Sequence, residues 1–154
     1  MNIEQKRLLV IQLDKKIALF NGAKHHPQPS EGWIYAIRTA LGMSLRQLGQ
    51  RLKMTPQGVK DIERREQEGS LTLQRLREVA AALDMQLVYG LVPKAQTLDN
   101  MIEQRARELA REIVLKTAQT MHLENQGLDE NAIKEAIDSQ AAKIKNEMPK
   151  ALWN

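Results

Sequence analysis

Thr55, Gln57, Lys60 and Asp61 bring a hydroxyl, an amide, an ammonium and a carboxylate into one short stretch, each able to make directional hydrogen bonds. A helix opening at Thr55-Pro56, a hydroxyl N-cap followed by proline at the first helical position, would hold all four close to its N-terminal end. The major groove of DNA admits a helix by that end and offers a donor and acceptor pattern that such groups match. The Gln57 amide can bridge N6 and N7 of adenine, Lys60 can reach guanine O6/N7 or a phosphate, and Asp61 can accept from cytosine N4. Gly58 adds no side chain among them, which permits close approach. Arg46, Lys53, Arg64 and Arg65 flank this head as candidates for phosphate pairing, which sets affinity and salt dependence more than sequence choice. Met43 to Arg65 holds Arg46, Arg51, Lys53, Lys60, Arg64 and Arg65 against only Asp61 and Glu63, so the basic excess is focused there. The alternative use of Arg64 and Arg65, beside Glu63, Glu66 and Glu68, is a solvated, ion-paired helix end.

A head of this kind needs a rigid mount. Leu48, Leu52, Met54, Val59 and Ile62 sit at the offsets by which two short helices lock at a fixed angle, with Gly49 at their closest approach and Leu52-Lys53-Met54-Thr55 as the turn. Ser44 with Gln47 three residues on is a capping box for the helix that carries Leu45, Leu48 and Leu52. A helix from about Glu31 to Leu41, burying Trp33 or Ile34 with Ile37 and Leu41, precedes it, and Gly42 ends that helix. Another starts at Thr72, with Leu71 and Leu76 as a hydrophobic staple, and runs through Leu73, Val79, Ala80 and Leu83 to Asp84.

The stretch Ser44–Glu63 resembles the Cro/phage-repressor (XRE) helix-turn-helix family. That resemblance implies a lambda-repressor-like fold and sequence-specific DNA binding. Three positions depart from the family pattern: Gly49 replaces its alanine, Lys53 its glycine and Leu45 a glutamine that braces a phosphate. A lysine held in a left-handed turn costs on the order of 1 kcal/mol. Gly32-Trp33, Leu87–Pro93 and the terminal Leu152-Trp153 extend the likeness over nearly the whole chain, to the group called mobile mystery protein A. That second resemblance implies a Fic-domain partner in a toxin–antitoxin arrangement.

Beyond the central region, Ile3, Val10, Leu13, Ile17 and Phe20 mark an amphipathic helix stopped at Asn21-Gly22, and the prolines of Ala23–Ser30 make a connector. Met85–Pro93 reads as a strand, centred on 86–92, rich in β-branched and aromatic residues and closed by proline. Its backbone must pair within the chain or with a second chain. Leu98, Met101, Ile102, Ala106, Leu109, Ile113 and Thr117 trace a long helix over 98–122, with Glu103/Arg107 and Glu112/Lys116 as outer pairs. A last helix, 129–147, buries Ile133, Ile137, Ala141, Ile144 and Met148 before Pro149. The expected organisation is a helix in 1–22, a linker at 23–30, the helix-turn-helix domain with its strand in 31–93, and a helical dimerisation or partner region in 94–154.

The 154 residues carry 3% aromatics, no cysteine, and 23 basic against 19 acidic groups. Helices must therefore supply the core, while disulfides, thiol catalysis and Cys-zinc sites are excluded. No apolar run is long enough to span a bilayer and no secretory signal opens the chain, so a cytoplasmic, nucleoid-associated protein is expected. His25 and His26 adjoin in the linker with His122 remote, so metal spacing is lacking. Ser30, Ser44, Ser70 and Ser139 stand in no nucleophile elbow, and no Gly-rich phosphate loop occurs. The expectation is an all-α, non-enzymatic DNA-binding regulator without cofactor or metal. It would act as a homodimeric repressor on a palindromic site of double-stranded DNA. The alternative is an antitoxin that neutralises a Fic-type toxin by protein contacts, with DNA binding as feedback.

Overall fold

A computed structural model describes residues 1–123 and 129–154, with side chains for all of these except 122 and 123. The described residues form seven α-helices: α1 (Ile3–Ala18), α2 (Trp33–Ala40), α3 (Leu45–Leu52), α4 (Pro56–Glu68), α5 (Leu73–Ala82), α6 (Leu98–Leu123) and α7 (Glu130–Glu147). Short 3-10 turns add Asn21–His25 and Lys150–Trp153. Two compact units result, one of residues 23–90 and one of residues 1–22 with 91–154.

In the 23–90 unit, Ile34, Leu48, Val59, Ile62, Val79 and Leu83 form the core, and Ile37, Met43, Leu45, Leu52, Met54, Leu71 and Leu76 pack around it. Helices α2 to α5 each contribute to it, so none is buried on more than one face. Trp33 is 51% exposed while Ile34 is buried, which resolves which of the two faces inward. Helix α2 begins at Trp33, later than expected from Glu31, because Gly32 takes φ +86° as its N-cap. Leu41, expected in the core, is the C-cap of α2 and is exposed. Thr72 caps α5 as expected, accepting from the Arg75 amide.

In the other unit, Ile102, Ala106, Ala110, Ala141, Ile144 and Leu152 are buried, with Val10, Leu109, Ile137 and Met148 against them. Small alanines at the α6–α7 contact let the two backbones approach closely, and the last turn seats Leu152 in the same core. Helix α1 joins through Asp14, whose carboxylate accepts from the amides of Leu98 and Asp99 and so caps α6. Lys145 of α7 reaches Asp99 and Glu103 of α6, and hydrogen bonding to Asp99 holds its pKa above the usual lysine value. Arg107 pairs with Asp138 across the same helices as well as with Glu103. These carboxylates therefore tie α6 to α7. Met101 and Ile113 are partly exposed and Ala110 is buried instead, so the buried stripe of α6 lies slightly around the helix from the one the sequence suggests. The side chain of His122 and all of Glu124 lie outside the described residues.

The strand expected at 86–92 does not form among the described residues, where Met85–Pro93 belongs to no helix or strand. A strand is stable only against a neighbour that takes up its backbone N–H and C=O groups. Every other described element is helical and offers no such edge. The connector at 23–30 also opens with part of a 3-10 turn, which ends at His25 ahead of the first proline.

Replacing Leu152 with alanine is expected to destabilise the unit of residues 1–22 and 91–154 by about 2–5 kcal/mol, since the side chain is fully buried. Urea unfolding followed by circular dichroism measures it. A cost below about 1 kcal/mol would show that the last turn is not part of that core.

Candidate nucleic-acid interface

Helix α3 starts where Ser44 and Gln47 exchange hydrogen bonds, a complete capping box. It ends at Lys53, which is left-handed at φ 56°, ψ 46°. The backbone turns there because the Lys53 and Met54 amides close back onto Gln50 and Gly49 carbonyls. A Cβ on Gly49 would lie 2.7 Å from the Met54 carbonyl oxygen, so only glycine fits without moving the turn. Thr55 then caps α4, its hydroxyl accepting from the Gly58 amide at 3.0 Å, with Pro56 at the first helical position.

Helix α4 has two opposed faces. Val59, Ile62, Glu63 and Glu66, spaced by three and four residues, face inward, and the first three are buried. Gln57, Lys60, Asp61 and Arg64 repeat the same spacing two residues earlier and so lie on the other side. Gln57 and Lys60 are exposed and Asp61 half-buried. Thr55 is exposed with its hydroxyl committed to the cap. Space beside Gly58 is taken by Met54 and Thr55, with the Met54 methyl 3.2 Å from where a Cβ would stand. The absent side chain therefore serves the turn itself.

The cations divide into two groups. Arg64 is held by Asp61 and Glu68, and its pKa is raised mainly by the hydrogen bond to Asp61, then by that to Glu68. The solvated, ion-paired helix end thus describes Arg64, and it occupies Asp61 as well. Arg51 donates to the Ala82 carbonyl and stands 3.5 Å from Asp84. Arg46, Lys53, Lys60 and Arg65 are exposed and make no ion pair among the described residues. The four include Lys53 at the turn and Lys60 on the outward face of α4.

Two residues that sequence reasoning assigned to a solvated helix end instead fix α4 in place. Glu63 forms a buried, bidentate pair with Arg38 of α2, through Nε and through Nη2 at 3.2 Å, and Arg38 Nη1 donates to the Met43 carbonyl at 2.9 Å. Glu66 accepts from the backbone amides of Trp33 and Ile34 at 3.1 and 2.9 Å. Gly32 has no side chain to cap α2, so a carboxylate from α4 does it. The signal was available in principle: Glu63 and Glu66 extend the Val59–Ile62 face, and Gly32 leaves helix donors without a local acceptor.

Residues 34–89 match the helix-turn-helix family model. Comparison with curated proteins gives no match. Comparison with solved structures gives none either. The matched segment is an XRE-type helix-turn-helix DNA-binding domain, with α3 and α4 as its two helices. Nothing in these comparisons extends the likeness over the rest of the chain, and the mobile mystery protein A resemblance has no support among them. No helix of the described residues is long and apolar enough to cross a membrane.

Replacing Arg38 with methionine should cost about 3–5 kcal/mol, because Glu63 is left buried and unpaired. Adding Glu63→Leu to that variant should restore most of the loss. Chemical unfolding of both variants tests this, and a double variant no more stable than R38M would show that the pair supplies more than mutual neutralisation.

Proposed function

We propose that this chain is a non-enzymatic, sequence-specific transcriptional regulator that binds a palindromic operator as a homodimer and represses by occupying a promoter, its own included. The observation that carries the reading is the two-faced α4: its inner face is fixed by core packing, the Arg38–Glu63 pair and the Glu66 cap, while Gln57 and Lys60 stand exposed on the other side. A rigid helix presented by its N-terminal end, with polar side chains outward, suits direct readout in the major groove. One such helix reaches only a few base pairs, so two copies on half-sites about 34 Å apart supply the specificity.

Roles follow from which groups are unoccupied. Gln57 is assigned the base contact and Lys60 a guanine or a nearby phosphate. Arg46, Lys53 and Arg65 are assigned to phosphates. Thr55, its hydroxyl used in the cap, serves as a positioning residue at the mouth of the groove. Asp61 and Arg64 neutralise each other in the free protein, and either contacts DNA only by opening that pair.

A second reading, from the resemblance to mobile mystery protein A, is an antitoxin that neutralises a Fic-type toxin through the unit of residues 1–22 and 91–154. Its support on the surface is α1 and its C-cap, where Leu8, Ile11 and Leu19 are 56%, 54% and 84% exposed. Large apolar side chains exposed together in this way suit a protein partner. DNA binding would then provide feedback on the pair.

The experiment is enrichment of duplexes from a random pool, then anisotropy titration of the winner over a range of salt. A palindromic winner is expected. Gln57→Ala should lose about 1–3 kcal/mol of discrimination at one base position in each half-site. With Arg46, Lys53, Lys60 and Arg65 of each chain on phosphates, the slope of log K against log salt should be on the order of −7 for a dimer, and Lys53→Ala should make it shallower without changing sequence preference. No enrichment at low salt would overturn the reading.

A further inference from the structure

We infer that residues 85–93 form the dimer contact, pairing with the same segment of a second copy as a two-stranded antiparallel ribbon. This rests on the dimeric reading above and names the surface that makes the dimer. The segment combines features that conflict in a lone chain. Its sequence, Met-Gln-Leu-Val-Tyr-Gly-Leu-Val-Pro, has strand composition. Yet no backbone group of residues 86–92 makes a hydrogen bond among the described residues. Val88, Tyr89 and Leu91 are 67%, 58% and 87% exposed, a concentration of apolar surface on a short stretch. An unpaired run of strand-forming residues is the feature that a second chain completes most readily.

One register satisfies the chemistry of every position. With Tyr89 opposite Tyr89 of the second copy on the two-fold axis, as a non-hydrogen-bonded pair, Gln86 faces Val92 and Val88 faces Gly90 as hydrogen-bonded pairs. The N–H groups of these four residues are then used. Pro93 falls opposite Met85 at a non-hydrogen-bonded position, where its missing N–H costs nothing. Alternation puts Met85, Leu87, Tyr89, Leu91 and Pro93 on one face, entirely apolar or aromatic. A two-stranded ribbon alone is marginal in water and needs backing. Here Met85–Val88 already wall a cavity of about 260 Å³ with Trp33, Leu76 and Val79 of the helix-turn-helix domain. The Arg77 guanidinium lies 5.6 Å from the Tyr89 ring centre and holds that ring on the domain.

The chain has no cysteine, so single cysteines report this register directly. Directly opposed residues have Cβ atoms about 4.5–5.5 Å apart, within reach of a disulfide after small adjustment. In full-length protein under mild oxidation, Tyr89→Cys should yield covalent dimer several-fold faster than Leu91→Cys. Leu91 is the more exposed, but its two copies would be separated by four residues of strand, about 14 Å. Gly90→Pro removes one N–H from each of the two Val88–Gly90 pairs and should raise the dimer dissociation constant at least tenfold in sedimentation, with helix content unchanged. Three outcomes decide. Wild-type dimer with preferential Tyr89→Cys cross-linking supports the ribbon. Wild-type dimer in which Leu91→Cys cross-links as fast, or neither does, overturns the ribbon and leaves the operator reading standing. A wild-type chain monomeric with and without the selected duplex overturns both.

Discussion

The helix-turn-helix domain depends on one buried ion pair. Arg38 and Glu63 are the two charged residues buried among the described ones, and they sit on α2 and α4, far apart in sequence. Desolvating two charges is costly, and a pair in such a place is not explained by stability, since apolar residues of like volume often serve as well. Its geometry suggests another service. The planar guanidinium meets the carboxylate by two hydrogen bonds and spends a third donor on the Met43 carbonyl, where the chain turns from α2 towards α3. A fork of fixed donors specifies rotation as well as distance. Apolar contacts of Val59 and Ile62 could accept small rotations of α4 about its own axis; the Arg38–Glu63 pair resists them. In the proposed reading, an outward strip of four residues that meets base edges at hydrogen-bond distance requires that resistance.

The same logic explains what the sequence reveals and what it conceals. Caps were legible because their partners lie three residues apart: Ser44 with Gln47, Thr55 with Gly58, and Thr72 with Arg75. The inner faces of α3 and α4 were legible from spacing alone, as was the close approach at Gly49. The Arg38–Glu63 and Glu66–Ile34 contacts span 25 and 32 residues, and nothing local marks a glutamate as an inward one. Glu63 and Glu66 looked like the solvated neighbours of Arg64, a description that suits Glu68. Leu152 was visible only as part of a resemblance, because a single buried residue after a proline has no periodicity to reveal it.

The strand illustrates a different limit. Its composition was read correctly as composition, but a strand is a relation between two segments rather than a property of one. Within a chain of helices that relation has no second member. The residues therefore keep their preference and lack the structure, and Asp84, at φ 57°, turns the chain out of α5 into that segment. Lys53 shows the reverse case. Its left-handed conformation opposes the preference of the residue, yet the turn adopts it because the amides of Lys53 and Met54 are satisfied only in that geometry and Gly49 allows the approach. Tertiary context overrides local preference where the partners are present, and cannot act where they are not.

Charge counting by sequence also misjudges the field that a nucleic acid would meet. Six cations against two acids between Met43 and Arg65 suggest a uniform patch. In the folded domain Arg51 is spent on the end of α5, Arg64 on its own helix, and Glu63 is cancelled from outside the stretch by Arg38. What remains unpaired is Arg46, Lys53, Lys60 and Arg65. Lysines and arginines that hold no protein carboxylate exchange only water and counterions when they meet phosphate, so they contribute fully to salt-dependent attraction. Arg64 would first have to leave two carboxylates. The division separates cations held by the domain's own acceptors from cations without an ion pair among the described residues, and it places Lys60 of the second group on the same outward strip as Gln57, the residue proposed to read a base.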